Sequence, residues 1–257
     1  MPHWKLAEST YEHVKSSMPF EVAVLPLGAT EPHNLHLPYA TDTLQVERLG
    51  SLACARAAAE GARVVLLPAM PFGTETNQAR FPLALNVNPT TLAAVITDLV
   101  ASLVQHGIRK VVLLNGHGGN DLKWLLRQLY GSTPAQLFLC HWYKVAADRY
   151  REIFRDAGDH AGELETSMMM AFYPELVHLE KADPGATAES RFGAVRQGWV
   201  EITRPWHLLT TNSGAGDPRP ATAAKGHAVT ALVVERLASF LTELSGSAID
   251  ERFPFQA

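Results

Sequence analysis

Four short runs of apolar residues punctuate the first 142 positions: "EVAVLPLG" (21–28), "ARVVLLPAMPFG" (62–73), "KVVLLNG" (110–116) and "AQLFLCHW" (135–142). Their near-continuous leucine and β-branched character suits strands covered on both faces rather than on one. The segments between them change period. In "NPTTLAAVITDLVASLVQHG" (88–107), Asn88 stands where a cap is needed and Pro89 suits the first turn; Leu92, Val95, Ile96, Leu99, Val100 and Leu103 form one stripe before Gly107 stops the helix. A second helix is predicted over 121–131, striped by Leu122, Leu125, Leu126 and Leu129. A third, near the C-terminus, carries Val229, Leu232, Val233, Leu237, Phe240 and Leu241. Strand, helix and strand in alternation predict an α/β fold. The Gly- and Pro-rich stretch at 210–226 has no apolar period, and only one helix follows it, so it reads as a long ordered loop and not as a linker. We therefore expect a single domain over 1–257.

Composition narrows the class. The chain has 257 residues, 47% hydrophobic and 19% charged, enough to bury a full core. A formal net charge of −4 offers no basic footprint for nucleic acid or an anionic membrane. The first twenty residues lack the apolar run of a secretion signal, and no stretch has the roughly 18 apolar residues of a membrane span, so a cytoplasmic protein is expected. Cys54 and Cys140 lie far apart and form no CxxC pair, which signals neither a disulfide framework nor a cysteine zinc site; both read as small buried hydrophobes.

Three segments carry an unusual density of ionisable groups. "LPLGATEPHNLHLPYATDT" (25–43) leaves the first strand and brings Glu31, His33, His36 and Asp42 within twelve positions. Glu31 and His33 fall just past a strand's C-terminal end, where open α/β sheets bind ligands. In extended chain they would project to the same side. Carboxylate, imidazole and carboxylate form a mixed N/O set suited to zinc, manganese or ferrous iron. The competing reading is a hydrogen-bonded loop whose acids cap the helix starting near Thr43. "NGHGGN" (115–120) follows the third strand and reaches the same sheet edge if the strands are parallel. Its glycines allow positive φ and close approach to a bound group, and His117 is its one metal-capable side chain. Such a loop can also be a phosphate nest, although it completes neither GK[ST] nor GxGxxG. "DHAGELETS" (159–167) adds Asp159, His160, Glu163 and Glu165, which helix-dipole and capping preferences would also explain. Taken together, so many like charges in one cleft call for cations.

In order and spacing, "LPLGATEPHNLHLPYATDT", "NGHGGN" and "HAGELETS" resemble the three signatures of the creatininase (creatinine amidohydrolase) family. "FGAVRQGWV" and "NSGAGDPRPATAAKG" are similar to its C-terminal portion. The resemblance implies a three-layer α/β/α sandwich with a mostly parallel central sheet and two divalent metal ions per subunit (Zn, Mn or Fe). It also implies hydrolysis of a C–N amide or cyclic amide by a hydroxide held between the metals, and a homo-oligomer, commonly a hexamer.

Carried over by position, the resemblance puts Glu31 on one metal, His33 on the other, Asp42 between them, and His117 beside Glu31. Creatinine-hydrolysing members read NGHYEN with a ligand glutamate where Gly119 stands here, so the remaining ligand is assigned to Glu165 of the HAGxxETS pattern. Glu163 and Glu165, two residues apart at a helix start, point about 200° apart, so only one faces the metals, and replacing Glu163 should change little. His160 matches a histidine of proton transfer and His36 a further active-site histidine. Gly118, Gly119 and Asn120 are expected at the substrate, the loop amides holding an oxyanion. The common EQHGPHLP also departs here at Pro32, Asn34 and Leu35, and the loop lacks its Tyr-Glu pair, which argues against creatinine itself as the substrate. The rival function is a non-catalytic protein binding a phosphate or nucleotide on the NGHGGN loop.

Overall fold

The computed structural model describes residues 4–255. Four parallel strands form its sheet: β1 (Val22–Leu27), β2 (Val64–Leu66), β3 (Lys110–Asn115) and β4 (Gln136–His141), in the order β2-β1-β3-β4. Between them run α1 (Thr41–Ala59), α2 (Pro89–Gln105) and α3 (Lys123–Leu129), and α4 (Glu163–Phe172) and α5 (Ala223–Gly246) follow. β1 pairs with β3 along its whole length, from Val22 opposite Lys110 to Leu27 opposite Asn115. The parallel pairing places the ends of β1, β2 and β3 at one edge, as the apolar runs predicted.

Alternation along β1 sorts the two outer layers. Val22 and Val24 face a core shared with α1, α4 and α5, built from Val46, Leu49, Leu164, Met168, Val229 and Val233. Leu25 and Leu27 face the opposite core, with Leu92, Ile96, Val100, Leu122 and Leu125 of the α2 and α3 side. Helices thus cover both faces, giving the three-layer α/β/α sandwich.

Several local expectations change. β2 stops at Leu66 because Pro68 and Pro71 lack the N–H a ladder requires, although Met70 still donates to Pro26 O at 3.0 Å. Asn88 occupies the cap position of α2 but its side chain makes no cap bond; it accepts instead from Asn86 Nδ2 at 3.0 Å. Val95 lies off the buried stripe and is 41% exposed. The loop expected over 210–226 ends at Thr222, just before α5 begins; within it Ala215 and His160 exchange backbone hydrogen bonds of 2.8 and 3.0 Å, and Ser213 Oγ donates to Pro32 O at 2.7 Å. α5 packs on α4 through Gly226, where a Cβ would fall 2.0 Å from Ser167 O. Among the described residues, no helix is long and apolar enough to cross a membrane.

Candidate metal centre

Past the end of β1 the chain leaves the sheet and turns back on itself, His33 bridging to Leu37 and Asn34 at a positive φ of 54°, before α1 begins. That turn holds Glu31 and His33 over the strand ends, and the first turn of α1 brings in Asp42. His117 enters from the loop after β3, and Glu165 from the first turn of α4. Three groups of potential ligand atoms lie within 4.8 Å of one another: Glu31, Asp42 and His117; His33, Asp42 and Glu165; and Glu31, His33 and His160. Asp42 joins the first two, with Oδ2 3.0 Å from His117 Nδ1 and Oδ1 3.0 Å from His33 Nε2.

Both histidines are oriented by their far nitrogens. His33 Nδ1 donates to Glu31 O at 3.0 Å, which leaves Nε2 turned to Asp42. His117 Nε2 donates to Thr74 O at 3.2 Å, which leaves Nδ1 3.0 Å from both Glu31 Oε1 and Asp42 Oδ2. A neutral imidazole has only one N–H, so each nitrogen facing the acids presents a lone pair to carboxylate oxygens unless a proton or a cation stands between. Glu31 Oε1 and Asp42 Oδ2 are buried and accept no hydrogen bond. Buried acceptors converging without donors fit a bound cation.

The electrostatics record the same tension. Burial opposes charge on His33, yet Asp42, and after it Glu165 and Glu31, outweigh this and lift it to about 10. His117 is likewise raised well above its ordinary value, burial being overcome by Glu31 and Asp42. Burial pushes Glu31 well up and Glu165 to about 7, whereas His33 and His117 overcome burial at Asp42 and hold it well below the carboxylate range. His160 falls to about 3, through burial and then the neighbouring His33. It donates from Nε2 to Pro32 O at 2.9 Å, keeps Nδ1 3.6 Å from Glu31 Oε1, and packs between His33 and the edge of Trp206.

A cavity of about 390 Å³ opens on this cluster, lined by Glu31, Asp42, His117, His160 and Glu165 and walled by Tyr143, Tyr150, Arg204 and Trp206. Gly118 and Gly119 line it too, but Asn120 does not. Its amide ties loops together, accepting from Thr74 N at 3.0 Å and donating to Asn115 Oδ1 at 3.0 Å. None of the three loop glycines has positive φ; at Gly119 the need is space, since a Cβ would lie 2.3 Å from both His117 Nε2 and Thr74 O. His36 also stands off the cavity, its Nε2 2.8 Å from Thr166 Oγ1, a contact that ties the turn after β1 to α4.

Glu163 and Glu165 do diverge, but Glu163 is not idle. It is fully buried, pairs through Oε1 with Lys225, and accepts from Arg155 N at 2.9 Å and Asp156 N at 3.2 Å. These bonds tie the start of α4 to α5 and to the chain before it. The sequence reading also missed Glu75 and Gln78, both buried at the cluster, with Gln78 Nε2 bonded to Glu31 Oε2 and Glu75 Oε1 3.0 Å from His117 Nε2. The available signal was their position: polar "TETNQ" follows the second apolar run, at the same sheet edge as the other two loops.

Comparison with known proteins bears on this architecture directly. The family model described as creatinine amidohydrolase matches residues 7–241. A crystal structure of a Bacteroides fragilis protein assigned as a creatinine amidohydrolase superposes with a TM-score of 0.91 at 35% identity, covering 98% of this chain and 100% of that one. The mycofactocin precursor peptide peptidase of Mycobacterium tuberculosis is 28% identical over 90% of this chain and 88% of its own length. The creatinine amidohydrolase of Pseudomonas putida is 29% identical over 62% of this chain and 67% of its own. With the family model spanning nearly the whole chain and the strand-end cluster in the matching fold, the protein belongs to the creatininase family.

Proposed function

We propose that the protein is a metal-dependent hydrolase of a C–N amide or cyclic amide bond, working with two divalent cations. The observation that carries this reading is the double-faced Asp42, whose two oxygens each lie 3.0 Å from an imidazole nitrogen while the far nitrogen of each ring bonds a backbone carbonyl. In this reading Glu31, Asp42 and His117 hold one ion and His33, Asp42 and Glu165 the other, each set having the three protein ligands typical of a catalytic zinc position. Bound there, the ions supply Lewis acidity toward a carbonyl and an activated water at neutral pH.

The chain's own groups do the rest. His160, kept largely neutral by burial, keeps a free Nδ1 beside Glu31 and is placed to move a proton to the leaving nitrogen. Trp206 holds its ring by an edge contact with centroids 4.9 Å apart. The open side of Gly118, where nothing lies within 4 Å of an added Cβ, leaves room for a carbonyl oxygen at the loop backbone. Tyr143, Tyr150 and Trp206 put aromatic surface on the cavity wall.

Relatives named for creatinine and for a precursor peptide support an amide as the substrate class to test first. The missing Tyr-Glu pair of the loop argues against creatinine. The reading includes a homo-oligomer, a hexamer by resemblance, for which Phe192, Trp199 and Ile202, exposed by 63%, 71% and 52%, offer apolar surface; sedimentation velocity tests it. For the chemistry, the test is a screen of lactams, formamides and short peptides on protein loaded separately with zinc, manganese and iron. Metal-dependent release of an amine supports the reading. Uptake of less than about half an equivalent of metal, or tight phosphate binding with no turnover, refutes it in favour of a binding protein.

A further inference from the structure

We infer that Glu75 is the positioning carboxylate of His117: it fixes the imidazole with Nε2 protonated, so that Nδ1 is the atom offered to Glu31 and Asp42. The consequence for metal binding rests on the reading proposed above; the contact itself does not.

Glu75 comes from the segment after β2 and is 1% exposed. Its Oε1 lies 3.0 Å from His117 Nε2, and no donor forms a regular hydrogen bond with it. A carboxylate oxygen buried this deeply is costly unless it acts on a neighbour; the neighbours it meets are the His117 imidazole and the Glu31 carboxyl, and of these only the imidazole offers an N–H. The Nε2 hydrogen goes to Thr74 O at 3.2 Å, and Glu75 Oε1 lies beside that bond, close enough to act on the ring by its charge. Thr74 O alone would accept it as a neutral carbonyl. A carboxylate beside the ring is a stronger acceptor than a carbonyl, and such a partner holds the tautomer more firmly and raises the basicity of the opposite nitrogen.

The surrounding backbone is built for this contact. Glu75 N donates to Asn86 Oδ1 at 2.8 Å and Thr74 N to Asn120 Oδ1 at 3.0 Å, so one asparagine of the His117 loop clamps the segment that carries the acid. Gly119 completes the fit. A Cβ at that position would strike both His117 Nε2 and Thr74 O at 2.3 Å, so the loop is bare where the 74–75 segment crosses it. The acid beside the ring comes from a different strand end than the ring itself, in a chain whose own loop has no side chain to give.

The experiment compares wild type with Glu75→Gln and Glu75→Ala, with and without His117→Ala. Nitrogen NMR of the His117 ring in metal-free protein reads the tautomer, and competition against a chelator reads the affinity for Mn²⁺ and for Zn²⁺ at each position. Wild type is expected to show a single Nε2–H tautomer and Glu75→Ala a mixture. One of the two ions should bind roughly 10- to 100-fold more weakly in Glu75→Ala, with Glu75→Gln in between and the second ion unchanged. On the His117→Ala background, loss of Glu75 should add nothing. An unchanged tautomer with unchanged affinities overturns the inference. So does an equal loss without His117, since Glu75 would then act on the ions directly or only on the fold. Should Glu75→Ala fail to fold, the isosteric Glu75→Gln carries the same two readouts. Should wild type bind neither ion, the metal reading fails, and the ring tautomer alone decides the role of Glu75.

Discussion

The two faces of the sheet serve the centre in different ways. On the face of α1, α4 and α5, two ligand candidates ride in helices, Asp42 in the first turn of α1 and Glu165 in the first turn of α4, while Glu31 and His33 lie in the turn that leads into α1. On the face of α2 and α3, the corresponding groups ride in loops. Glu75 lies well before α2 starts at Pro89, and His117 before α3 starts at Lys123. A helix turn places a side chain by its own backbone bonds, whereas a loop must be tied down. The ties are amides: Asn86 holds Glu75, Asn115 donates to His117 O at 2.7 Å, and Asn120 links both loops to Gly28 O. Meanwhile α2 and α3 contribute only core. One face thus combines packing with chemistry, and the other divides the two between helices and loops.

Substitutions sharpen this division. The largest effect is expected at Asp42, the group both proposed positions share: Asp42→Asn should abolish hydrolysis and leave less than about half an equivalent of metal after reconstitution, measured by elemental analysis. Glu165→Gln should remove one ion and retain the other, a difference the same analysis reads. His160→Ala should keep both ions yet slow turnover by roughly 10² to 10⁴, the worth of a lost proton-transfer group; a metal-free variant would instead make His160 a ligand, as its grouping with Glu31 and His33 permits. On the opposite face, Ile96→Ala should cost about 2 to 5 kcal/mol in urea unfolding with metal content and turnover per folded molecule intact, because Ile96 is fully buried in core alone. The smallest is Asn120→Ala, expected to cost about 1 to 3 kcal/mol from unmade buried hydrogen bonds. Weakened metal binding in that variant would show that the loop ties matter to the site, and unchanged affinity would confine them to the fold.

The Glu163 and Glu165 pair shows where reading the chain stops. Their spacing correctly sends them to opposite sides of a helix start, but what waits on each side is invisible in the sequence. Lys225, which pairs with Glu163, lies 62 positions downstream, and no local rule connects them. Glu75 is the complementary case: it was in view in "TETNQ", but it contacts His117 only because β2 and β3 flank β1 in a parallel sheet.

By itself, the sequence determined the strand-and-helix alternation, the arrival of histidines and acids just past strand ends, and the family, because apolar period and short motifs are local and survive translation into one dimension. Tertiary structure alone decided which atoms face one another. It turned His36 to Thr166 and Asn120 to neighbouring loops, buried Glu163 against Lys225 and set Glu75 behind His117. The physical reason is that a buried polar group takes its role from the partner that satisfies it, and those partners come from segments that only the folded sheet brings together.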